Sequence, residues 1–202
     1  MTSIIDYDAG NVMSVQKACE FLGEHASITK DEKEILSSDH VILPGVGAFG
    51  SAMEKLNERG LSYTIKNAIN NGIPFLGICL GLQLLFSDSE ESPGPKGLGI
   101  LNGHIKKIPG DDGLKIPHMG WNCISYPNRG RMFKGIKEEP YVYFVHSFYL
   151  DCDDKTIVTA SVNYGINIDC AIESGNVFAT QFHPEKSGGV GLKMLKNFLD
   201  IN

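Results

Sequence analysis

Cys79 lies in Gly77-Ile78-Cys79-Leu80-Gly81, after the apolar run Phe75–Ile78 and before Leu80–Phe86, which reads as a helix. The two glycines remove Cβ atoms that a sharp strand-to-helix turn has no room for. This is the nucleophile-elbow pattern with sulfur in place of oxygen. Such a turn presents the sulfur at a helix N-terminus, where free N–H groups and the helix dipole favour a thiolate. Far downstream, Gln181-Phe182-His183-Pro184-Glu185-Lys186 carries an imidazole and a carboxylate. It follows the β run Val177–Gln181, and strand ends are where parallel sheets gather their sites. Period-two spacing predicts that His183 and Glu185 point to one side, so that the carboxylate fixes the ring tautomer. Cysteine, histidine and glutamate then form a triad suited to acyl transfer.

Each group also has an ordinary reading. A lone cysteine is usually a small core hydrophobe, and Cys19, Cys123, Cys152 and Cys170 are read that way. A metal site at His183 and Glu185 lacks a third ligand nearby. Pro44-Gly45-Val46-Gly47 is either a plain turn or an oxyanion donor, in which a glycine-rich strand end aims the N–H of Val46 or Gly47 at a developing negative charge. The N–H of Leu80, next after the cysteine, would be the second donor. No Gly-Lys-Ser/Thr follows the loop, so it is not a phosphate cradle.

The elements that must position these groups alternate in the first half of the chain. Strands are predicted at Ser3–Asp6, His25–Ile28, His40–Leu43 and Pro74–Ile78. Between them lie helices: one capped by Asn11 and ended by Gly23, one over Asp31–Leu36, one opened by a capping box at Ser51–Glu54, and one over Leu61–Asn71. Ser87–Lys96 reads as a surface loop. The later chain is β-rich, with runs at Ile100–Ile108, Asn122–Tyr126, Tyr141–Val145, Thr156–Val162 and Asn167–Glu173. A turn at Ser174-Gly175-Asn176 and a final helix Val190–Leu199 complete it. The expectation is one α/β domain, residues 1–202, with a mainly parallel sheet and antiparallel additions in its second half. Tyr7, Tyr141, Tyr143 and Phe144 read as core aromatics, whereas Trp121, between glycine and asparagine, reads as an exposed loop residue at an interface.

The net charge of −6 and the absence of a Lys/Arg run argue against a nucleic-acid partner. The apolar stretches are strand-sized, so no membrane span is expected, and the N-terminus lacks signal-peptide features. Five scattered cysteines without CxxC spacing suggest a reducing cytoplasm and no zinc site. No cofactor fingerprint is present.

The elbow Gly77–Gln83, His183-Pro184-Glu185 and the Pro44–Gly47 loop resemble those of the class I (triad) glutamine amidotransferases. Asp6-Tyr7-Asp8-Ala9-Gly10-Asn11, Pro44–Phe49, Pro117-His118-Met119-Gly120-Trp121-Asn122 and Gln181–Gly188 narrow the resemblance to the glutaminase-subunit type of imidazole glycerol phosphate synthase. The resemblance implies a flavodoxin-like three-layer sandwich. It makes Cys79 the nucleophile, His183 the base and then acid, and Glu185 the orienting carboxylate. Gln83, Ser147 and Phe148 would meet glutamine, while Asn11, Trp121 and Lys186 would serve the partner interface and ammonia passage. The implied partner is a (βα)₈-barrel cyclase subunit, joined as a heterodimer. Asp8 replaces a common glycine and Phe148 a common tyrosine; the second change removes a hydroxyl from the expected glutamine contacts. The chain contains no acceptor site, so a partner that takes the ammonia follows from its economy. The rival readings are a paralogous glutaminase feeding another synthase, such as one of amidino-sugar biosynthesis, a stand-alone cysteine peptidase or γ-glutamyl hydrolase, and a catalytically dead interaction module.

Overall fold

Short apolar runs separated by amphipathic stretches wind the first half of the chain into parallel strands joined by helices. A computed structural model describes residues 1–8, 11–110 and 113–201; Ala9 and Gly10 of the Asp6–Asn11 segment lie outside the described residues. Strand β1 (Thr2–Ile5) leads through α1 (Val12–Phe21) to β2 (Ala26–Thr29), and α2 (Glu32–Leu36) leads to β3 (His40–Gly45). Helices α3 (Phe49–Glu58) and α4 (Leu61–Asn70) precede β4 (Phe75–Cys79), which turns directly into α5 (Leu80–Leu84). The remaining strands are β5 (Asp88–Ser89), β6 (Gly103–Lys107), β7 (His118–Ser125), β8 (Tyr141–His146), β9 (Phe148–Cys152), β10 (Val158–Tyr164), β11 (Ile166–Ser174) and β12 (Val177–Thr180), before the closing helix α6 (Gly188–Leu199).

The main path of the sheet runs β2-β1-β3-β4-β12-β11-β10-β7-β8, with β5, β6 and β9 branching from it. Strands β1 to β4 pair in parallel, and β12 joins β4 in parallel with Thr180 opposite Ile78. The chain therefore leaves β4 and β12 at the same sheet edge, which delivers Cys79 and His183 to one place. Beyond β12 the main path is antiparallel, while the branch strands β5 and β6 pair in parallel. Alternation along the strands sends Ile4 and Ile42 into a core shared with α1 and α6, and Ile5 and Leu43 into one shared with α3 and α4. Helices on both faces make the expected three layers.

Several local expectations are corrected. Asn11 stands at the start of α1, yet its side chain accepts from Ser14 Oγ at 2.7 Å rather than from a backbone N–H. Ser51 opens no capping box, because α3 already begins at Phe49. Its first N–H groups are met from the Ser87–Lys96 segment: Phe49 N donates to Glu91 Oε2 at 2.7 Å and Gly50 N to Ser92 Oγ at 3.0 Å. A cap supplied from so far along the chain has no local signature. Helix α5 ends at Leu84 rather than Phe86, since the returning segment takes its last carbonyls, with Leu98 N on Leu84 O at 2.8 Å and Ile100 N on Leu85 O at 2.9 Å. Strand β7 begins at His118, so Trp121 sits in a strand rather than a loop, and Ser147 separates β8 from the unforeseen β9. Tyr7 and Phe144 are buried as read, whereas Tyr141 is 61% exposed. Cys19, Cys152 and Cys170 are buried, but Cys123 is only partly so.

The turn from β4 into α5 depends on missing side chains. A Cβ on Gly81 would stand 1.9 Å from the carbonyl oxygen of Leu43, and one on Gly77 would stand 2.7 Å from that of Gly81. Both obstacles are backbone, which has little freedom to yield. Gly81→Ala is therefore expected to destabilise the protein by about 4 kcal/mol, measured by urea unfolding; a loss below about 1 kcal/mol would contradict this close approach.

Candidate active site

Cys79 adopts φ 57° and ψ −108°, a conformation that L-residues rarely hold and that costs on the order of 1–3 kcal/mol. Parallel pairing to β3 and β12 on one side, and the Gly77–Gly81 contact on the other, impose it. Its sulfur is 3.9 Å from the Val145 carbonyl oxygen, and the Gln181 Nε2 donates to it at 3.6 Å. The residue keeps 7% exposure, so it is covered but reachable from a cavity.

His183 Nδ1–H donates to Glu185 Oε1 at 2.8 Å, and both side chains are almost wholly buried. The contact was expected from extended spacing; it is made instead through a 3-10 turn, Pro184–Lys186, with Pro184 at its first position. A proline fits there because its nitrogen needs no partner. The turn is pinned to β8, as His183 N donates to Tyr143 O at 3.0 Å. Ser187 Oγ also donates to His183 O at 2.6 Å and accepts from Tyr143 N at 3.0 Å. With Nδ1 committed to the carboxylate, Nε2 is buried without a hydrogen-bond partner, as is Glu185 Oε2.

Burial alone would lower the His183 pKa, but interactions with the Cys79 sulfur and the Glu185 carboxylate outweigh it and raise the imidazole to about 10. The protonated ring is thus favoured by the groups packed around it. His118 and His146 behave oppositely: burial brings each down to about 4, so both are neutral.

Val46, Gly47, Cys79, Leu80, Gln83, Ser147, Phe148 and His183 line one cavity of about 350 Å³. That size suits a small molecule, whose sites start at roughly 300 Å³. Gly47 has φ +100°, open to glycine, and Val46 is exposed at the mouth. The two oxyanion candidates and Leu80 thus line the same cavity as the sulfur. Helix α5, with five residues, contributes its first-turn N–H groups rather than a long dipole. Gln83 Nε2 donates to Phe148 O at 3.3 Å and to Gln181 Oε1 at 3.0 Å. The loss of a tyrosine hydroxyl at Phe148 leaves its backbone carbonyl as the polar group in use.

Glu91 escaped the sequence reading, and Gln181, His118 and His146 entered it only as parts of longer motifs. Gln181 touches the sulfur although it was taken only as part of the motif. Glu91 lines the cavity from the segment that caps α3, and no local signal marks it. His146 Nδ1–H donates to Phe148 O at 2.8 Å, and its Nε2 accepts from His118 Nδ1 at 2.9 Å. The histidine pair was visible as two polar residues in apolar strands. Among the described residues, no group of three His, Cys, Asp or Glu side chains could hold a metal ion.

The three remaining expected residues lie outside the cavity. Asn11 is half-buried at the start of α1, which packs against the His183–Lys186 turn. Lys186 is exposed on that turn, and Trp121 is 55% exposed beside Gly188. Met119, Trp121 and Tyr141 form an exposed apolar row on β7 and β8.

Comparison with known proteins bears on this arrangement. The family described as "Glutamine amidotransferase class-I" matches residues 3–201. The chain is 48% identical over 199 residues to the imidazole glycerol phosphate synthase subunit HisH of Moorella thermoacetica, covering 98% of this chain and 94% of that protein. It is 49% identical over 201 residues to the HisH subunit of Methanocaldococcus jannaschii, covering 100% of both. A solved structure titled "Crystal structure of glutamine amidotransferase" shares the fold, with a TM-score of 0.76 at 17% identity, over 98% of this chain and 97% of that one.

The raised His183 pKa has a testable sign. Its stabilising contribution is complete below the unfolded value near 6.5 and is lost as pH rises toward about 10. Glu185→Gln should bring the imidazole titration down from about 10, followed by NMR of labelled histidine. A titration unmoved by the substitution would mean that the carboxylate does not hold the ring.

Proposed function

The chain belongs to the class I glutamine amidotransferase family, with HisH subunits as full-length relatives, and from that membership we propose that it is the glutaminase subunit of an imidazole glycerol phosphate synthase. The observation that carries the reading is the meeting of Cys79 and His183, tied to Glu185, at a cavity of amino-acid size.

In this reading the Cys79 sulfur attacks the side-chain carboxamide of glutamine. The oxyanion is met by the Leu80 N–H and by that of Val46 or Gly47, each donor lowering the barrier by roughly 2.7–4 kcal/mol. His183, held protonated by its neighbours, gives its proton to the departing nitrogen, and ammonia leaves. Water, deprotonated by the same ring, then cleaves the γ-glutamyl thioester to glutamate and regenerates the thiol. The Nε2 of Gln83 is engaged by two acceptors, so its oxygen is the atom left for substrate. An oxygen acceptor, together with the Glu91 carboxylate at the cavity wall, suits the α-ammonium of glutamine.

Ammonia released into water would be protonated and lost as a nucleophile. A cyclase subunit docked over the site would receive it directly and make imidazole glycerol phosphate and an aminoimidazole carboxamide ribotide, a step of histidine biosynthesis. The row Met119, Trp121 and Tyr141, next to Lys186, is the proposed docking face. Depleted of charge and carrying an exposed tryptophan, it has the make-up of an interface centre. No described helix is long and apolar enough to cross a membrane; the proposed location is the cytoplasm.

Cys79→Ala should lower glutamine-dependent synthesis by about 10⁴-fold or more, while the complex keeps its activity with added ammonium salts. Loss of both activities would point to a wrong subunit assignment, and ammonia transfer to a different barrel would point to a paralogue. Trp121→Ala should weaken the cyclase complex by about 2 kcal/mol, roughly thirtyfold in Kd, read by titration calorimetry. An unchanged Kd would remove this face from the interface.

A further inference from the structure

The backbone carbonyl of Phe148 can only accept hydrogen bonds, and it sets the direction of every bond around it. His146 Nδ1 lies 2.8 Å from it and Gln83 Nε2 3.3 Å from it, so both must be donors. A Gln83 amide turned the other way would set oxygen against oxygen. With its nitrogen so fixed, Gln83 meets Gln181 at 3.0 Å, and the atom of Gln181 it meets must be the oxygen. The Gln181 nitrogen then faces the other way, 3.6 Å from the Cys79 sulfur. On the far side, His146 Nε2 is the acceptor for His118 Nδ1–H, which a neutral, buried ring allows. Gln181 and Gln83 are 0% and 5% exposed, and the Gln181 backbone is itself tied to Cys170 O at 2.8 Å. The amide has no freedom to turn over.

We propose that Gln181 is a catalytic residue: its side-chain N–H, aimed by Gln83 and the Phe148 carbonyl, donates to the Cys79 sulfur and supports it as a thiolate. The proposal rests on the reading of Cys79 as the nucleophile. Deprotonation of the thiol ends any donation from sulfur to the Val145 carbonyl and leaves that oxygen facing an anion. Donation from Gln181 strengthens at the same moment, because hydrogen bonds to an ionised acceptor are roughly twice as strong as neutral ones. The amide therefore raises the share of Cys79 in the thiolate form, the form that attacks.

The test uses the full chain with two substitutions. Gln181→Met keeps the volume and removes both polar atoms; Gln181→Glu keeps the shape and the bond from Gln83 but replaces the donor with a carboxylate oxygen. Alkylation of Cys79 by iodoacetamide is followed against pH by peptide-resolved mass spectrometry, alongside glutaminase kcat and KM in the cyclase complex. In Gln181→Met the alkylation profile should move to higher pH, and the rate at pH 7 and kcat should each fall roughly tenfold, with KM nearly unchanged. Gln181→Glu should react more slowly still, although it packs as the native side chain does. Wild-type profiles in either folded variant would overturn the role of Gln181. A wild-type Cys79 that a glutamine-analogue electrophile fails to label would instead overturn the nucleophile reading, and this proposal with it.

Discussion

The backbone of α5 lies against the C-terminal end of β3, closer than any side chain would permit, and the site depends on that approach. The Leu43 carbonyl occupies the space where a Cβ of Gly81 would be. Because the helix can come so near, the chain turns within one residue, and Cys79 takes the strain of the turn at φ 57°. The sheet supports that strain from both sides, since β4 is central, paired with β3 and β12. The Cys79 sulfur stands where it does because two glycines and two neighbouring strands leave the backbone no alternative.

The electrostatics of the cavity follow from which buried groups are given a charge partner. His183 has the Glu185 carboxylate at 2.8 Å and a sulfur nearby, and its protonated form is favoured against burial. His118 and His146 are buried among aromatic rings, with neutral partners only, and remain uncharged. The His183 ring is the charged one; the His118–His146 pair holds backbone in place. The neutral pair orients the Phe148 carbonyl, from which the polarity of Gln83 and Gln181 follows. A charge on His146 would remove the acceptor that His118 needs, so its low pKa serves the geometry.

Much of the candidate site was legible because its signals are local. Gly-x-Cys-x-Gly after an apolar run specifies a turn, and His-x-Glu after a β run offers a base with its carboxylate. Even there, the reason for the second contact differed: the pair meets through a tight turn begun by Pro184, not through strand alternation. The less legible parts are those supplied from elsewhere in the chain. Glu91 and Ser92 cap α3 across a separation of 42 residues, and no pattern around Ser51 or Phe49 reports it. The Met-Gly-Trp run looked like a loop because glycine is rare in strands, yet at Gly120 it takes φ +124° within β7 and leaves Trp121 outward.

By itself, the sequence determined the alternating architecture, the candidate sulfur, imidazole and carboxylate, and the turn that exposes the sulfur, because each is written in a few consecutive residues. The tertiary structure decided which groups surround that sulfur. The parallel register of β12 on β4 brings residues 79 and 181–183 to one edge, and the Phe148 carbonyl orders the amides between them. Hydrogen-bond direction is a property of a closed network, and a network closes only when strands distant in the chain are side by side.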